Sequence, residues 1–241
     1  MDGIILAGGK GTRMLPLTEN TPKPLLAIQG RPILEWTLRI LRPAASRVLV
    51  VANYHKEQIA AFMQAQHIFA DYELVEQRPA PLGTGHALQC CQPYLASDDF
   101  VVLNGDDLYN AGAIARLAQT PFGILAAERE DAANWGVLLT DAEGRLVRLH
   151  EKPPDGLYPT PVKVNTGAYK FSKAVFAYDL PVSARGEYEI TDYVSFLVQR
   201  HDVDVVLADF WMPIGDPAAL EAAQALDLQR LMFDDEETKR C

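Results

Sequence analysis

The sequence predicts an α/β protein built on a mostly parallel sheet with helices on both faces, into which a small β lobe is inserted. Three observations carry this prediction. Short apolar runs alternate with amphipathic helical patterns through roughly the first 130 residues. The first apolar run empties directly into a glycine-rich turn, Ala7-Gly8-Gly9-Lys10-Gly11. Beyond that half, the alternation gives way to hairpin-like strands. Strands that alternate with helices are joined by crossovers, which bury both faces of a parallel sheet.

The elements follow in order. Ile4-Ile5-Leu6 reads as a buried strand. Pro32 suits the first position of a helix over 33–41, and Pro43 ends the pattern. A strand over 47–52 precedes a helix over 55–66, in which Ile59, Phe62 and Met63 share a face. The next expectations are a strand at 72–75, a helix at 85–92, a strand at 100–103, a helix at 111–118 and a strand at 122–126. In such sheets ligands bind beyond the carboxyl ends of the strands. That rule brings the loops at 8–16, 77–84 and 104–109 to one edge. Trp135–Leu139 and Leu146–Leu149 flank Asp141-Ala142-Glu143-Gly144 and predict a hairpin. A strand at 162–164 that 169–171 continues, a helix over 188–200, a strand over 203–207 and a final helix over 217–232 complete the chain. One domain is expected over 1–233, and the acidic segment 234–241 reads as a solvated, frayed tail.

Composition excludes several classes. Of the 241 residues 49% are apolar, which fits a soluble globular protein, and the net charge of −10 argues against nucleic acid and anionic membrane as partners. An anionic substrate therefore needs a local cationic site. Cys90, Cys91 and Cys241 have no metal-ligand or dithiol spacing, and no secretory leader or apolar span stands out, so a cytoplasmic location is expected.

The glycine-rich turn supplies that cationic site. Its glycines let backbone amides approach an oxyanion, and Lys10, Arg13 and, further on, Lys23 can neutralise phosphate charge. It is neither of two better-known glycine loops. A dinucleotide fingerprint needs a third glycine where Met14 stands, and a Walker A loop needs a glycine at Ile4 and a hydroxyl residue at Gly11. Asn104-Gly105-Asp106-Asp107 follows a buried strand, where a carboxylate can hold Mg²⁺ against substrate phosphates; Asn-Gly is equally a turn pair.

Leu6-Ala7-Gly8-Gly9-Lys10-Gly11-Thr12-Arg13-Met14, paired with Pro22-Lys23-Pro24, resembles the sugar-1-phosphate nucleotidylyltransferase family, most closely its uridylyl- and thymidylyl-transferring members. The resemblance runs from residue 3 to about residue 225. It implies a Rossmann-like three-layer α/β/α nucleotidyltransferase (GT-A-like) fold, with a nucleotide-binding half over about 1–130 and a sugar-binding half over about 131–233. It implies that Leu6, Ala7, Gly8, Gly9, Gly11, Thr12, Arg13, Lys23, Gln77, Gly83, Thr84 and Asp106 bind the nucleoside triphosphate, with Arg13 and Lys23 catalytic. Pro81–Leu88 resembles the family's base-reading loop, with Gln77 on the pyrimidine edge of UTP or dTTP; His86 reads as structural. Gly136, Glu151, Lys152, Asn165 and Thr166 are the expected sugar 1-phosphate contacts, and Gly186–Asp192 is expected beside the sugar at a helix start.

One departure stands out. Many members carry a second metal carboxylate two residues after the tryptophan of Trp211-Met212-Pro213-Ile214-Gly215-Asp216, where this chain has Pro213. Asp216, the expected metal ligand beside Asp106, or Asp209 upstream could substitute, or Asp106 could hold the metal mainly with phosphates and water. Three other readings stay open: a nicotinamide-dependent oxidoreductase, a guanylyltransferase of the same fold, and a nucleotide- or sugar-phosphate-binding regulatory protein without turnover.

Overall fold

The structure is a computed structural model that describes residues 1–233; the expected acidic tail at 234–241 lies outside the described residues. The first half holds β1 (Asp2–Leu6), a β2–β3 hairpin (Ala27–Ile28, Arg31–Pro32), α1 (Ile33–Leu41), β4 (Arg47–Val51), α2 (Lys56–Ala65), β5 (Tyr72–Val75), α3 (Thr84–Cys91), β6 (Asp99–Asn104), β7 (Asp107–Tyr109), α4 (Ala111–Ala118) and β8 (Gly123–Arg129). The second half holds β9 (Gly136–Thr140), β10 (Leu146–Glu151), β11 (Val162–Ser172), α5 (Ile190–Val198), β12 (Asp204–Leu207), β13 (Trp211–Pro213), α6 (Pro217–Gln224) and α7 (Leu228–Met232).

The main sheet runs β12-β8-β11-β6-β1-β4-β5. β5, β4, β1 and β6 are mutually parallel, β11 runs against both β6 and β8, and β12 is parallel to β8. Among these seven strands of the nine-stranded sheet β11 alone is reversed; β9 and β10, antiparallel to each other, join the sheet through β11. Alternate side chains of β1 enter opposite cores: Ile5 packs with α1 and α4, Ile4 with α3 and α5. That two-sided burial is why the strand is a continuous apolar run. Register sets the functional edge. Val75 pairs Val51, Val51 pairs Leu6, and Leu6 pairs Asn104, so the four carboxyl ends lie level.

As expected, 169–171 continues the strand at 162–164: β11 is one eleven-residue strand, with a register shift against β8 between Asn165 and Tyr169. Its first half pairs with β9 of the β9–β10 hairpin and its second half with β6, so one bent strand joins lobe and main sheet. β7 and β13 form a separate antiparallel pair that sets Pro213 opposite Asp107. Three-residue strands carry no periodicity and exist only through this distant pairing. The single helix expected over 217–232 is two. The Gln29 side-chain amide donates to the carbonyls of Ala223, Gln224 and Leu226 at 3.3, 3.3 and 2.6 Å, ending α6. The Asp227 carboxylate then accepts from the Arg230 amide at 3.2 Å and starts α7. No helix among the described residues is long and apolar enough to cross a membrane.

Asp2 anchors the start of the sheet. It is 1% exposed, and its Oδ2 accepts from the amides of Ala96 and Ser97 at 2.7 and 2.9 Å. Alanine there leaves both amides without this acceptor. Asp2→Ala is expected to lower the unfolding free energy by about 2–4 kcal/mol, read as a fall in urea midpoint at constant slope.

Candidate active site

The level strand ends open into a cavity of about 460 Å³. The chain leaves β1 with the Ala7 amide bonded to the Val51 carbonyl at 2.9 Å, then turns where only backbone fits: a Cβ on Gly8 would sit 2.8 Å from Asn53 Oδ1. Gly11 is left-handed at φ 62°, and its carbonyl accepts from the Thr18 hydroxyl at 2.8 Å. That conformation opens a short 3₁₀ turn, Thr12–Met14, which carries Arg13 into the cavity. A second 3₁₀ turn, Lys23–Leu25, buries Lys23 at 6% exposure, with Nζ 2.6 Å from Asp106 Oδ2. All twelve residues expected at the nucleotide line this cavity, Leu6, Gly9 and Thr12 among them. Lys10 does not line it.

The far wall is formed by Gln77 and the start of α3. The Gln77 amide nitrogen donates to the Gly83 carbonyl at 2.9 Å and lies 3.2 Å from His86 Nδ1. Gly83 has φ 101°, and a Cβ on it would meet the Tyr188 carbonyl at 2.5 Å. The Thr84 hydroxyl accepts from the Ile190 amide at 3.0 Å, so it caps α5 from another element. Asp192, at the end of the segment expected beside the sugar, lines the adjoining cavity.

That second cavity, about 910 Å³, meets the first at Arg13, Thr84, Asn104, Asp106 and Gly215. Gly136, Glu151, Lys152, Asn165 and Thr166 all line it. Two of them are turned inward. The Thr166 hydroxyl donates to the Leu125 carbonyl at 2.9 Å, and Asn165 bridges the Tyr169 hydroxyl and the Gly167 amide, both at 2.9 Å. Their side chains hold the bend of β11. Lys152 is held at φ 43°, with its amide on the Trp135 carbonyl at 2.9 Å, a strained conformation for a residue with a Cβ. Sequence reasoning assigned no role to Asn104, Arg185 or Gly215, which also line the site. The strand-end rule that selected Asp106 would have found Asn104.

Among the described residues the Glu151 carboxylate has no hydrogen-bond partner. Partial burial against the cavity wall pushes its carboxyl above the usual carboxylate range, an effect that Arg185 opposes. A raised carboxylate pKa leaves the folded state unpenalised at acid pH and penalised once the pH passes the ordinary range. Glu151→Gln is therefore expected to raise Tm at pH 7, with a gain that fades as the pH falls toward 4.

The carboxylates sort by partner. Asp107 is buried, and its Oδ2 faces the Trp211 indole N–H and Tyr109 hydroxyl, both at 3.3 Å; burial and the neighbouring Asp106 charge hold its carboxyl well above the usual range. Asp209 is tied to Arg116 at 2.6 Å and lines neither cavity, which removes it as the substitute for Pro213. Asp216 lines the second cavity, but its Oδ1 caps α6 on the Ala219 amide at 2.9 Å. Among the described residues no cluster of three or more ligating side chains is present. Asp106 is an oxygen donor in contact with both cavities. It fits a hard divalent cation that takes one or two protein carboxylates and completes its shell with phosphates and water.

A parallel sheet whose carboxyl edge carries a cationic glycine loop, with two polar cavities meeting at one arginine and one aspartate, defines an α/β protein equipped for phosphorylated ligands. The nucleotidyl transferase family model matches residues 2–230, and the chain belongs to that family. It is 31% identical over 237 residues to the bifunctional protein GlmU of Methanocaldococcus jannaschii, covering 97% of this chain and 56% of that protein. It is 30% identical to UTP–glucose-1-phosphate uridylyltransferase AglF of Haloferax volcanii, covering 93% of this chain and 95% of that one. The chain thus spans about half the length of the first of these relatives and nearly all of the second. A crystal structure described as a putative glucose-1-phosphate thymidylyltransferase from Bacillus anthracis superposes with TM-score 0.80 at 26% identity, over 93% of this chain and 94% of that one. A UDP-glucose pyrophosphorylase complexed with UDP-glucose shares the fold at TM-score 0.81 and 19% identity, over 92% and 96% of the two chains. The mixed α/β fold is thus that of the nucleotidyltransferases, and family membership sets aside the oxidoreductase reading.

Proposed function

We propose that this protein joins a sugar 1-phosphate to a nucleoside triphosphate, UTP or dTTP, releasing pyrophosphate and a nucleotide sugar in the cytoplasm. The meeting of the two cavities at Arg13 and Asp106, with Lys23 beside them, is the observation that carries this reading. The triphosphate occupies the glycine-loop cavity and the sugar phosphate the larger one. A phosphate oxygen of the sugar then attacks the α-phosphorus in line, and pyrophosphate leaves. The nucleophile is already an anion, so no general base is needed, and the protein contributes positioning and charge neutralisation. Arg13 and Lys23 neutralise the triphosphate, and Lys152 meets the sugar phosphate. Asp106 would hold Mg²⁺, with Asp216 the remaining candidate carboxylate; the cation would supply further neutralisation of phosphate charge.

Gln77 supports the choice of base. With its amide hydrogens directed to Gly83 and His86, its oxygen is left to accept. Uracil and thymine present an imide N–H to such an acceptor, whereas cytosine presents a bare nitrogen. Guanine also presents a ring N–H, so a guanylyltransferase is an outcome of the same assay. Pyrophosphate release measured with Mg²⁺, crossing four nucleoside triphosphates with glucose, N-acetylglucosamine and mannose 1-phosphates, tests the proposal. Release that requires both substrates is expected. Nucleotide binding without release from any pair would favour the second reading, a sensor left without turnover by Pro213.

A further inference from the structure

We propose that His86 is the positioning residue that fixes base selectivity by locking the side-chain amide of Gln77; this rests on the base-reading role given to Gln77 above. His86 does not line the nucleotide cavity. It stands behind Gln77 on the first turn of α3, 9% exposed, while Gln77 is 6% exposed. Two contacts orient the amide. The Gly83 carbonyl can only accept, so the side-chain nitrogen must face it, at 2.9 Å. His86 Nδ1, 3.2 Å from the same nitrogen, takes the second hydrogen only if that ring nitrogen is unprotonated. The imidazole proton then lies on Nε2, which is 3.6 Å from Cys90 Sγ, a weak acceptor. Donation therefore runs outward from the Gln77 amide, to Gly83 on one side and through His86 to Cys90 on the other. Gln77 Oε1 is left over the glycine loop, 3.4 Å from where a Gly8 Cβ would stand, at the wall of the cavity.

The consequence is specific. A flipped Gln77 would present N–H₂ to the cavity and favour a base that accepts, such as cytosine, over one that donates. One face of the amide is set by Gly83, which is itself pinned by Tyr188: the Gly85 amide donates to the Tyr188 carbonyl at 2.7 Å, and the Tyr188 amide to the Leu82 carbonyl at 2.8 Å. His86 supplies the second acceptor, without which one amide hydrogen is buried and unpaired.

Two measurements test the assignment. The histidine tautomer is read in the wild-type protein by ¹⁵N NMR. His86 protonated on Nε2 and bare on Nδ1 is expected, and the Nδ1–H tautomer overturns the proposal. The second is the ratio of kcat/KM for UTP over CTP in wild type, His86→Phe and His86→Asn. Phenylalanine fills the volume and removes the acceptor, so the ratio is expected to fall at least about tenfold. Asparagine can return an oxygen near the Nδ1 position and is expected to restore most of it. Equal losses on both nucleotides in His86→Phe, with the ratio unmoved, overturn the role of His86 alone. A wild-type ratio near one overturns the base-reading role of Gln77 instead. Should the phenylalanine variant fail to fold, the wild-type tautomer still decides.

Discussion

Replacing Lys23 or Asp106 by alanine is expected to slow turnover by about a hundredfold or more while each purified variant remains folded. The two side chains meet at 2.6 Å where the cavities join, with Lys23 at 8% side-chain exposure and Asp106 at 37%. In the proposed reaction Lys23 would bring a nearly desolvated charge to the triphosphate, and such a charge acts more strongly than one in water. In the same reading Asp106 would hold a cation at that point. Loss of Asp106 leaves a buried ammonium without its partner, so Asp106→Ala is expected to lose more stability than Lys23→Ala. The lost partner is itself partly solvated, which keeps the penalty below that of a fully buried pair. Pyrophosphate release and thermal melting on the same preparations check both parts. Near-normal turnover in either variant would remove that residue from the mechanism. In Lys23→Ala, binding of Mn²⁺ in the absence of nucleotide is expected to tighten, because Asp106 loses the ammonium that competes for it. Electron paramagnetic resonance of free Mn²⁺ reads that change without turnover.

Gly167→Ala is expected to cost about 2–4 kcal/mol of stability and most of the activity. Gly167 has φ 79° at the bend of β11, and a Cβ there would overlap the Asn104 side-chain amide. Asn104 ends β6 and lines both cavities, so displacing it moves the wall where they join. Backbone strain and overpacking therefore act together at one position. Gly9→Ala is the stability control, since no atom lies within 4 Å of a Cβ built there. Urea midpoints of the two variants give the comparison. A Gly167→Ala midpoint matching that of Gly9→Ala would mean that Asn104 relocates freely.

Much of this was legible in the chain. The run Ile4–Leu6 announces a strand buried on both faces, and Gly8, Gly9 and Gly11 after it announce a backbone-lined turn. Both signals are local, because strand burial and glycine conformations are set within a few residues. The strand-end rule then brought Arg13, Gln77, Gly83 and Asp106 to one cavity from loops as many as 93 positions apart. By itself, then, the sequence determined the fold class, the edge of the sheet at which the loops gather and most of the residues found there, though not Asn104 or Gly215.

What those side chains touch was decided only by the tertiary structure. Thr166 and Asn165 sit in the expected segment, yet their polar groups turn back to Leu125, Tyr169 and Gly167. Asp106 and Asp107 are adjacent, yet one meets Lys23 in the cavity and the other is buried under Trp211. Asp209 and Asp216 were equivalent on spacing and are separated by Arg116 and α6. β7 and β13 exist only because residues 107–109 and 211–213 pair. In each case the deciding contact joins segments whose register is set by hydrogen bonds formed far along the chain. A side chain's direction alternates with every residue of a strand, and a shift of one position reverses it. Local periodicity carries the existence of a strand; the partner's register carries where its side chains point.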